Sequence, residues 1–204
     1  MLAFTSDHGD MLQSQGETKK QKPWDESIRV PLLVRTPAPP GRGGREIDLP
    51  VSTPDLMPTL LRVCGLKVPD TVEGRDLSGL IGEAGGAGKN DAHQESDYED
   101  GVLITCPVPF HQWNVHRGGR EYRGIRTRRY TYVCDLNGPW LLYDNLEDPY
   151  QLRNLIDDSA TAGLREAMDQ QLREMLARSG DEFLPGPAYM RRWDYDWDGD
   201  DGYS

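Results

Sequence analysis

Long apolar runs, paired cysteines and an excess of positive charge are all missing from this sequence. No apolar run approaches the roughly 20 residues of a membrane-spanning helix. The 204 residues include three cysteines, and none stands at metal-ligand spacing. Lys and Arg number 23 against 34 Asp and Glu, for a net charge of -11. We therefore expect neither nucleic acid nor a membrane as the main partner, although a local lysine cluster can still hold an anionic substrate.

The cysteines are predicted to be unpaired. Cys64 lies in an apolar run with helical spacing, and Cys134 ends a strand pattern. Both are therefore expected to be buried free thiols. Cys106 precedes a proline in a loop, and the sequence does not decide whether it is buried or exposed.

The most informative stretch lies near the start of the chain. A short apolar run at residues 1–4 predicts a strand that ends in the polar turn Asp7-His8-Gly9-Asp10. In open α/β sheets, ligands bind at the carboxyl ends of strands. A carboxylate and an imidazole there can bind a metal ion, and the lysines of residues 19–22 can hold an anion beside it. The four turn residues also suit an ordinary surface turn, so both interpretations stay open at this point.

The longer pattern favours a site. Residues 6–12 (SDHGDML), then Lys20, then residues 23–32 (PWDESIRVPL) resemble in order and spacing the C-terminal active-site segment of the sulfatases. These enzymes are sulfuric-ester hydrolases of the alkaline-phosphatase superfamily. The resemblance implies that Asp7 and His8 are ligands of an active-site Ca²⁺ and that Lys20 is the catalytic residue that contacts the sulfate. It also implies a periplasmic or secreted parent enzyme.

Two details of this segment limit the correspondence. Lys19 and Lys22 lie close enough to Lys20 that either could take its place. Gln15 stands where many sulfatases have a second His. Whatever that His does in those sulfatases, Gln15 is not expected to do it in the same way.

The part of the chain that follows is predicted to be scaffold. Residues 30–35 predict a buried strand, and residues 36–44, rich in Pro and Gly, a loop. Ser52 begins a predicted helix that Gly65 ends. The similar segment of sulfatases packs a helix against the sheet. Residues 82–100 are poor in apolar side chains and predict a surface excursion.

A loop at residues 106–119 combines aromatic and imidazole side chains to an unusual degree. In one interpretation Trp113 stacks on a sugar or aryl ring of the substrate, while His111 and His116 reach an anionic or hydroxyl group. In the other, Trp113 pins the loop to the core and both His residues are incidental. The predicted substrate-binding set is His111, Trp113 and His116, with both interpretations open.

The C-terminal part predicts a small antiparallel sheet and one long helix. Residues 122–143 alternate at period two and contain an Asn-Gly turn, which predicts a meander whose arginines form a solvated face. Apolar residues at helical spacing predict a helix at 159–178 that packs on the core, with Gly180 ending it. The two patterns resemble the C-terminal subdomain of sulfatases. The stripe of that helix consists of Leu164, Met168, Leu172 and Leu176.

The end of the chain is aromatic and acidic. Residues 194–200 carry the D-x-D-x-D-G opening of an EF-hand loop. The closing Glu and the second helix of an EF-hand do not follow. We therefore expect a flexible acidic tail with weak attraction for calcium.

Together these elements predict an α/β fold: the C-terminal part of an alkaline-phosphatase-like α/β sandwich, followed by a small antiparallel sheet packed with one long helix. Residues 1–100 are predicted to belong to the catalytic α/β domain and residues 101–180 to the antiparallel subdomain. Residues 181–204 are predicted to form the tail.

The resemblance also implies parts that this chain does not carry. Sulfatases attack sulfur with a formylglycine made from Cys or Ser in a Cys/Ser-x-Pro-x-Arg motif, and none of the three cysteines fits that motif. We therefore predict the C-terminal segment of a sulfatase, inactive by itself. Residues 1–4 would then be an interior strand whose parallel neighbours are mostly absent, which predicts a chain that either is marginally stable alone or pairs with a missing N-terminal half.

The expected ligand is a sulfated small molecule or glycan. One alternative is a non-enzymatic glycan-binding or interaction module derived from a sulfatase. Another is a phosphatase or phosphodiesterase relative that binds zinc or manganese through more His ligands. A single His beside a single Asp argues against the last.

Overall fold

The computed structural model describes residues 1–36, 44, 46–81 and 101–195. The predicted excursion at 82–100 and residues 196–204 of the predicted tail lie outside the described residues. Residues 181–195 of that tail are described, and they include a helix at Gly186–Arg192 whose Tyr189 is buried. Among the described helices, none is long and apolar enough to cross a membrane. The strands are β1 (Leu2–Thr5), β2 (Leu32–Arg35), β3 (Val102–Cys106), β4 (Tyr122–Arg126), β5 (Tyr130–Asp135) and β6 (Gly138–Asp144), and the α-helices are α1 (Asp25–Ile28), α2 (Thr53–Val63), α3 (Ser78–Ile81), α4 (Ala162–Ser179) and α5 (Gly186–Arg192).

The chain divides into two compact units. Unit 1 comprises Met1–Ser6 and Pro31–Val102, and unit 2 comprises Asp7–Val30 and Leu103–Ser204. The turn and lysine segment predicted to form the site therefore group with the C-terminal part of the chain. The domain boundaries at residues 100 and 180 stay a prediction.

Unit 1 contains a two-stranded sheet in which β1 pairs antiparallel with β2, with Leu2 opposite Arg35 and Thr5 opposite Leu32. The predicted strand at the start of the chain is confirmed. The predicted burial of the strand at residues 30–35 is wrong, because three of the four residues of β2 are exposed. A ribbon of two strands has too little surface to bury its own apolar side chains.

Helix α2 of unit 1 confirms the predicted helix that begins after Ser52. Ser52 and Asp55 form a capping box, which satisfies amides of the first turn. The helix buries Asp55, which binds the Arg75 guanidinium at 2.7 Å. The predicted burial of Cys64 is wrong, since this thiol is exposed beyond the packed face.

Unit 2 is built on a four-stranded sheet in the order β3-β4-β5-β6, with β4, β5 and β6 antiparallel as the alternating pattern predicts. Successive residues of a strand point to opposite faces. On β5, Val133 joins one buried cluster with Trp24 and Trp113. Its neighbour Tyr132 joins a second cluster, which includes Met168, Leu172 and Leu176 of α4. The predicted packing of α4 is thereby confirmed.

The arginines of β4 are not the solvated face that alternation predicts. Arg123 is 1% exposed and pairs with Asp181, while its guanidinium stacks 4.9 Å from the Phe183 ring. Arg126 binds Asp25 at 2.9 Å. Both partners are distant in sequence, so the local pattern could not indicate that these charges are buried.

Candidate functional site

The Asp7-His8 turn places a carboxylate beside an imidazole. His8 Nε2 lies 3.3 Å from Asp7 Oδ2. On its other side, His8 Nδ1 lies 2.6 Å from the Gly9 carbonyl oxygen. A carbonyl only accepts, so Nδ1 is the donor in this contact, and Nε2 is the ring nitrogen that faces Asp7. This arrangement suits two neighbouring ligands of one cation.

Gly9 brings this turn directly onto the backbone of α1. Its amide donates to the Ser27 carbonyl at 2.9 Å. A Cβ on Gly9 would lie 1.9 Å from the Glu26 carbonyl oxygen, a distance that no side chain can occupy. The glycine is therefore required by close packing, and it fixes the turn against the helix.

Asp10 joins the turn to the loop that carries the lysines. Its Oδ1 accepts from the amides of Leu12 at 3.0 Å and Lys19 at 3.2 Å. The Met11 amide in turn donates to the Lys19 carbonyl at 3.0 Å. These bonds hold the backbone next to Lys20 to the turn. The sequence placed Asp10 in the motif without indicating this role.

The three lysines of this loop have different environments. Lys19 and Lys20 are exposed, whereas Lys22 is 2% exposed. The Lys22 ammonium donates to the carbonyls of Thr18 at 2.5 Å and Lys20 at 3.3 Å. Burial lowers the pKa of Lys22, and Glu17, 3.7 Å away, opposes that shift. Lys22 is thus unsuited to meet an anion in solution, which leaves Lys20 and Lys19.

The aromatic loop contacts the lysine loop through Gln21. The Gln21 side chain donates to the Phe110 carbonyl at 3.2 Å and accepts from the Phe110 amide at 3.1 Å. Trp113 is 5% exposed and meets Tyr122 edge-on, with ring centroids 6.1 Å apart. Its ring also lies 5.3 Å from the Lys22 ammonium. These are the contacts of a packing residue.

The two histidines of the aromatic loop lie closer to solvent. His111 is half-buried and has a left-handed backbone, with φ 52. His116 is exposed, in a short 3₁₀ turn that Asn114 caps. A substrate-binding role for His111, Trp113 and His116 stays a prediction.

Gln15, which stands in place of a His found in many sulfatases, has an anchoring contact. Its amide donates to the carbonyls of Tyr150 and Gln151, each at 3.0 Å. The buried Gln151 side chain accepts from the Asp25 amide at 2.9 Å, at the start of α1. The segment between the Asp7-His8 turn and the lysines is therefore also hydrogen-bonded to the residues that follow β6.

These residues fit a calcium ion only as part of its coordination. Among the described residues, no group of three or more His, Cys, Asp or Glu is placed to hold a metal ion. Calcium takes roughly 6–8 oxygen ligands. Asp7 supplies carboxylate oxygens and His8 one nitrogen, so a complete site needs further donors.

Comparison with known proteins identifies the family of the chain. The family "N-sulphoglucosamine sulphohydrolase, C-terminal" matches residues 16–178. An ulvan-active sulfatase of Formosa agariphila is 37% identical over 197 residues, which span 96% of this chain and 36% of the relative.

Solved structures extend the comparison. A protein in complex with its substrate D-glucosamine-2-N,6-O-disulfate shares the fold, with a TM-score of 0.66 at 21% identity over 88% of this chain and 34% of that one. A phosphonate monoester hydrolase of Agrobacterium radiobacter has a TM-score of 0.66 at 29% identity, over 86% of this chain and 34% of that one.

The chain belongs to the sulfatase family of the alkaline-phosphatase superfamily, and it corresponds to the C-terminal portion of these enzymes. It spans about a third of the length of the relatives it matches. Lys20 and the aromatic loop lie within the family match, and Asp7 and His8 precede it.

Proposed function

We propose that this chain forms one wall of a sulfuric-ester hydrolase site, in which Lys20 contacts the sulfate group. The observation that carries the proposal is the solvent-facing Lys20 on a loop that Asp10 ties to the Asp7-His8 turn, within a chain of the sulfatase family. The proposed substrate class is a sulfated small molecule or glycan.

Lys20 would act through its charge. An ammonium forms charge-assisted hydrogen bonds to sulfate oxygens. The same group neutralises negative charge on the leaving oxygen as the ester bond breaks. Because hydrogen bonds hold the backbone of the loop, the point from which the Lys20 side chain extends is fixed before substrate arrives.

Asp7 and His8 would contribute to the cation site. A bound calcium ion would supply Lewis-acid polarisation of the sulfate oxygens. Asp7 would bring a negative charge to it, and His8 a nitrogen oriented by the Gly9 carbonyl. The remaining ligands would come from the N-terminal portion of the enzyme, which we propose as the partner of this chain.

We further propose that the chain is inactive alone, for want of a nucleophile. None of the three cysteines lies in a Cys/Ser-x-Pro-x-Arg motif. Burial raises the pKa of Cys106 to about 12 and that of Cys134 to about 11. Both thiols therefore stay protonated at neutral pH and are poor nucleophiles.

Titration of the ¹⁵N-labelled chain with inorganic sulfate tests the role of Lys20. We expect amide shifts centred on residues 19–21 in the wild-type chain. Because hydrogen bonds to charged groups contribute about 1.5–3 kcal/mol, Lys20→Met should weaken binding roughly 10- to 100-fold. Lys19→Met, the matched control, should change it less. Equal binding by Lys20→Met and wild type would refute the assignment.

A second candidate is hydrolysis of a phosphate or phosphonate ester, which the likeness to the phosphonate monoester hydrolase favours. Substitution of the matching third of the ulvan-active sulfatase by this chain gives a complete site to test. Turnover of an aryl sulfate that Lys20→Met reduces supports the first candidate. Turnover of a phosphonate monoester in preference to the aryl sulfate supports the second.

A further inference from the structure

We propose that Lys22 is a positioning residue whose buried ammonium holds the loop that presents Lys20. This inference rests on the proposed role of Lys20 in sulfate binding. Lys22 itself is 2% exposed, so its ammonium is not placed to bind an anion from solution. It acts through the backbone on either side of its neighbour.

The geometry places one ammonium group inside the loop. Lys22 Nζ reaches the Thr18 carbonyl at 2.5 Å and the Lys20 carbonyl at 3.3 Å, so one group spans the segment that contains Lys20. Glu17 Oε2 lies 3.7 Å away and offsets the buried charge. A buried cation is unfavourable unless it is paired and hydrogen-bonded, and here the two carbonyls and Glu17 meet that need.

The backbone around Lys20 needs such support. Lys19 and Gln21 both have left-handed conformations, with φ 66 and φ 75. A left-handed backbone is unfavourable for a residue with a side chain and persists only where its surroundings enforce it. A loop with two of them would relax if its internal bonds were removed.

Lys22 and its neighbour Gln21 also contact the aromatic loop. The Lys22 ammonium lies 5.3 Å from the centre of the buried Trp113 ring, and Gln21 exchanges two hydrogen bonds with the Phe110 backbone. Lys22 therefore joins two segments: the one that presents the sulfate-binding charge and the one that carries His111. Loss of its charge should loosen both.

Amide hydrogen exchange in the 204-residue chain tests the inference without any need for activity. The amides of Met11 and Lys19 report on the loop, because one donates to the Lys19 carbonyl and the other to Asp10. In Lys22→Met we expect their exchange to rise at least tenfold, while exchange at Val133 in β5 stays unchanged. Lys22→Arg, which keeps charge and donors, should restore most of the protection.

The outcomes separate this inference from the proposed function. If Lys22→Met is folded and the Met11 and Lys19 amides exchange as in wild type, Lys22 does not position the loop. Lys22→Gln, which removes the charge and shortens the side chain, gives the same test if the Met variant does not fold. Unchanged exchange in Lys22→Gln would also overturn the inference.

Inorganic sulfate serves as the second probe. We expect Lys22→Met to raise the sulfate Kd at least fivefold, with Lys22→Arg restoring it. Lys20→Met should raise this Kd roughly 10- to 100-fold and leave exchange of the Met11 and Lys19 amides unchanged. A wild-type chain with no sulfate response would contradict the role of Lys20, and the exchange data would still decide that of Lys22. Unchanged sulfate affinity in Lys22→Met would count against positioning.

Discussion

The two units of this chain differ in how their sheets are buried. In unit 1, β1 is exposed along its whole length and β2 over most of it, although both strands are largely apolar. In unit 2, buried clusters cover both faces of the sheet, and α4 supplies the second layer. The sheet of unit 2 is therefore covered on both faces, whereas no layer of described residues covers the apolar side chains of the unit 1 sheet.

The segments of the candidate site all lie in unit 2, the unit whose sheet is buried. The Asp7-His8 turn, the lysine loop and the aromatic loop all belong to unit 2 and are joined by its hydrogen bonds. Their geometry should thus survive loss of order in the two-stranded sheet.

The largest effect expected is from breaking the buried ion pair of unit 2. Arg123→Met leaves Asp181 without its cation, which for a buried pair costs about 3–5 kcal/mol. Urea denaturation followed by tryptophan fluorescence measures this loss in the free energy of unfolding. Arg153→Met, at an exposed pair with Asp158 at 3.2 Å, is the control, with a change within about 1 kcal/mol. Equal effects would show that Arg123 does not stabilise unit 2.

A matched pair of leucines sharpens the comparison. Leu172 is 2% exposed in α4 of unit 2, and Leu33 is 62% exposed in β2 of unit 1. Leu172→Ala should lower the free energy of unfolding by about 2–5 kcal/mol. Leu33→Ala should change it by no more than about 0.5 kcal/mol. A large loss from Leu33→Ala would mean that β2 is covered in solution.

Replacement of Gly9 tests whether the site turn depends on unit 2. Gly9→Ala forces a methyl group against the Glu26 carbonyl, and such overpacking costs about 1–3 kcal/mol. Gly163→Ala in α4 is the control, because its Cβ would meet no atom within 4 Å and alanine favours the helix. Thermal melts of both variants measure the difference. An unchanged Gly9→Ala melt would contradict the tight packing of turn and helix.

A smaller effect is expected from acid. Burial raises the pKa of Asp181, but hydrogen bonds from Arg123 and Tyr189 outweigh it and hold that pKa below the ordinary 3.8. A carboxyl group with a lowered folded-state pKa contributes stability above the unfolded value, and this is lost as the pH falls through the folded one. Stability should therefore fall below about pH 3.8, less steeply in Asp181→Asn. Identical pH profiles would contradict this linkage.

Local sequence patterns predicted where the helices and strands lie better than they predicted which of their side chains are buried. The helical stripe through Leu172 and the cap at Gly180 are local signals, and α4 follows them. The burial of Arg123 depends on Asp181, 58 residues away, which alternation along a strand cannot indicate. The exposure of β2 was missed for a related reason: an apolar strand predicts a buried one only if its covering layer is present.

For the site, the family pattern indicated Asp7, His8 and Lys20, and the structure adds the residues that hold them. Asp10, Gln21 and Lys22 act through backbone bonds of a loop with left-handed residues. No spacing rule predicts such a conformation. From the sequence alone Lys22 could take the place of Lys20 as the residue that contacts the anion. In the structure it is buried like a residue of the core.

Hydrogen exchange across the whole chain, followed by mass spectrometry of its peptides, tests the central comparison most directly. We expect β4, β5 and β6 to be the most protected elements and the lysine loop to share part of that protection. Peptides that cover β1 and β2 should exchange orders of magnitude faster. Equal protection of both sheets, with one sharp cooperative melt of a monomer, would contradict the account of a covered sheet in unit 2 and an exposed sheet in unit 1.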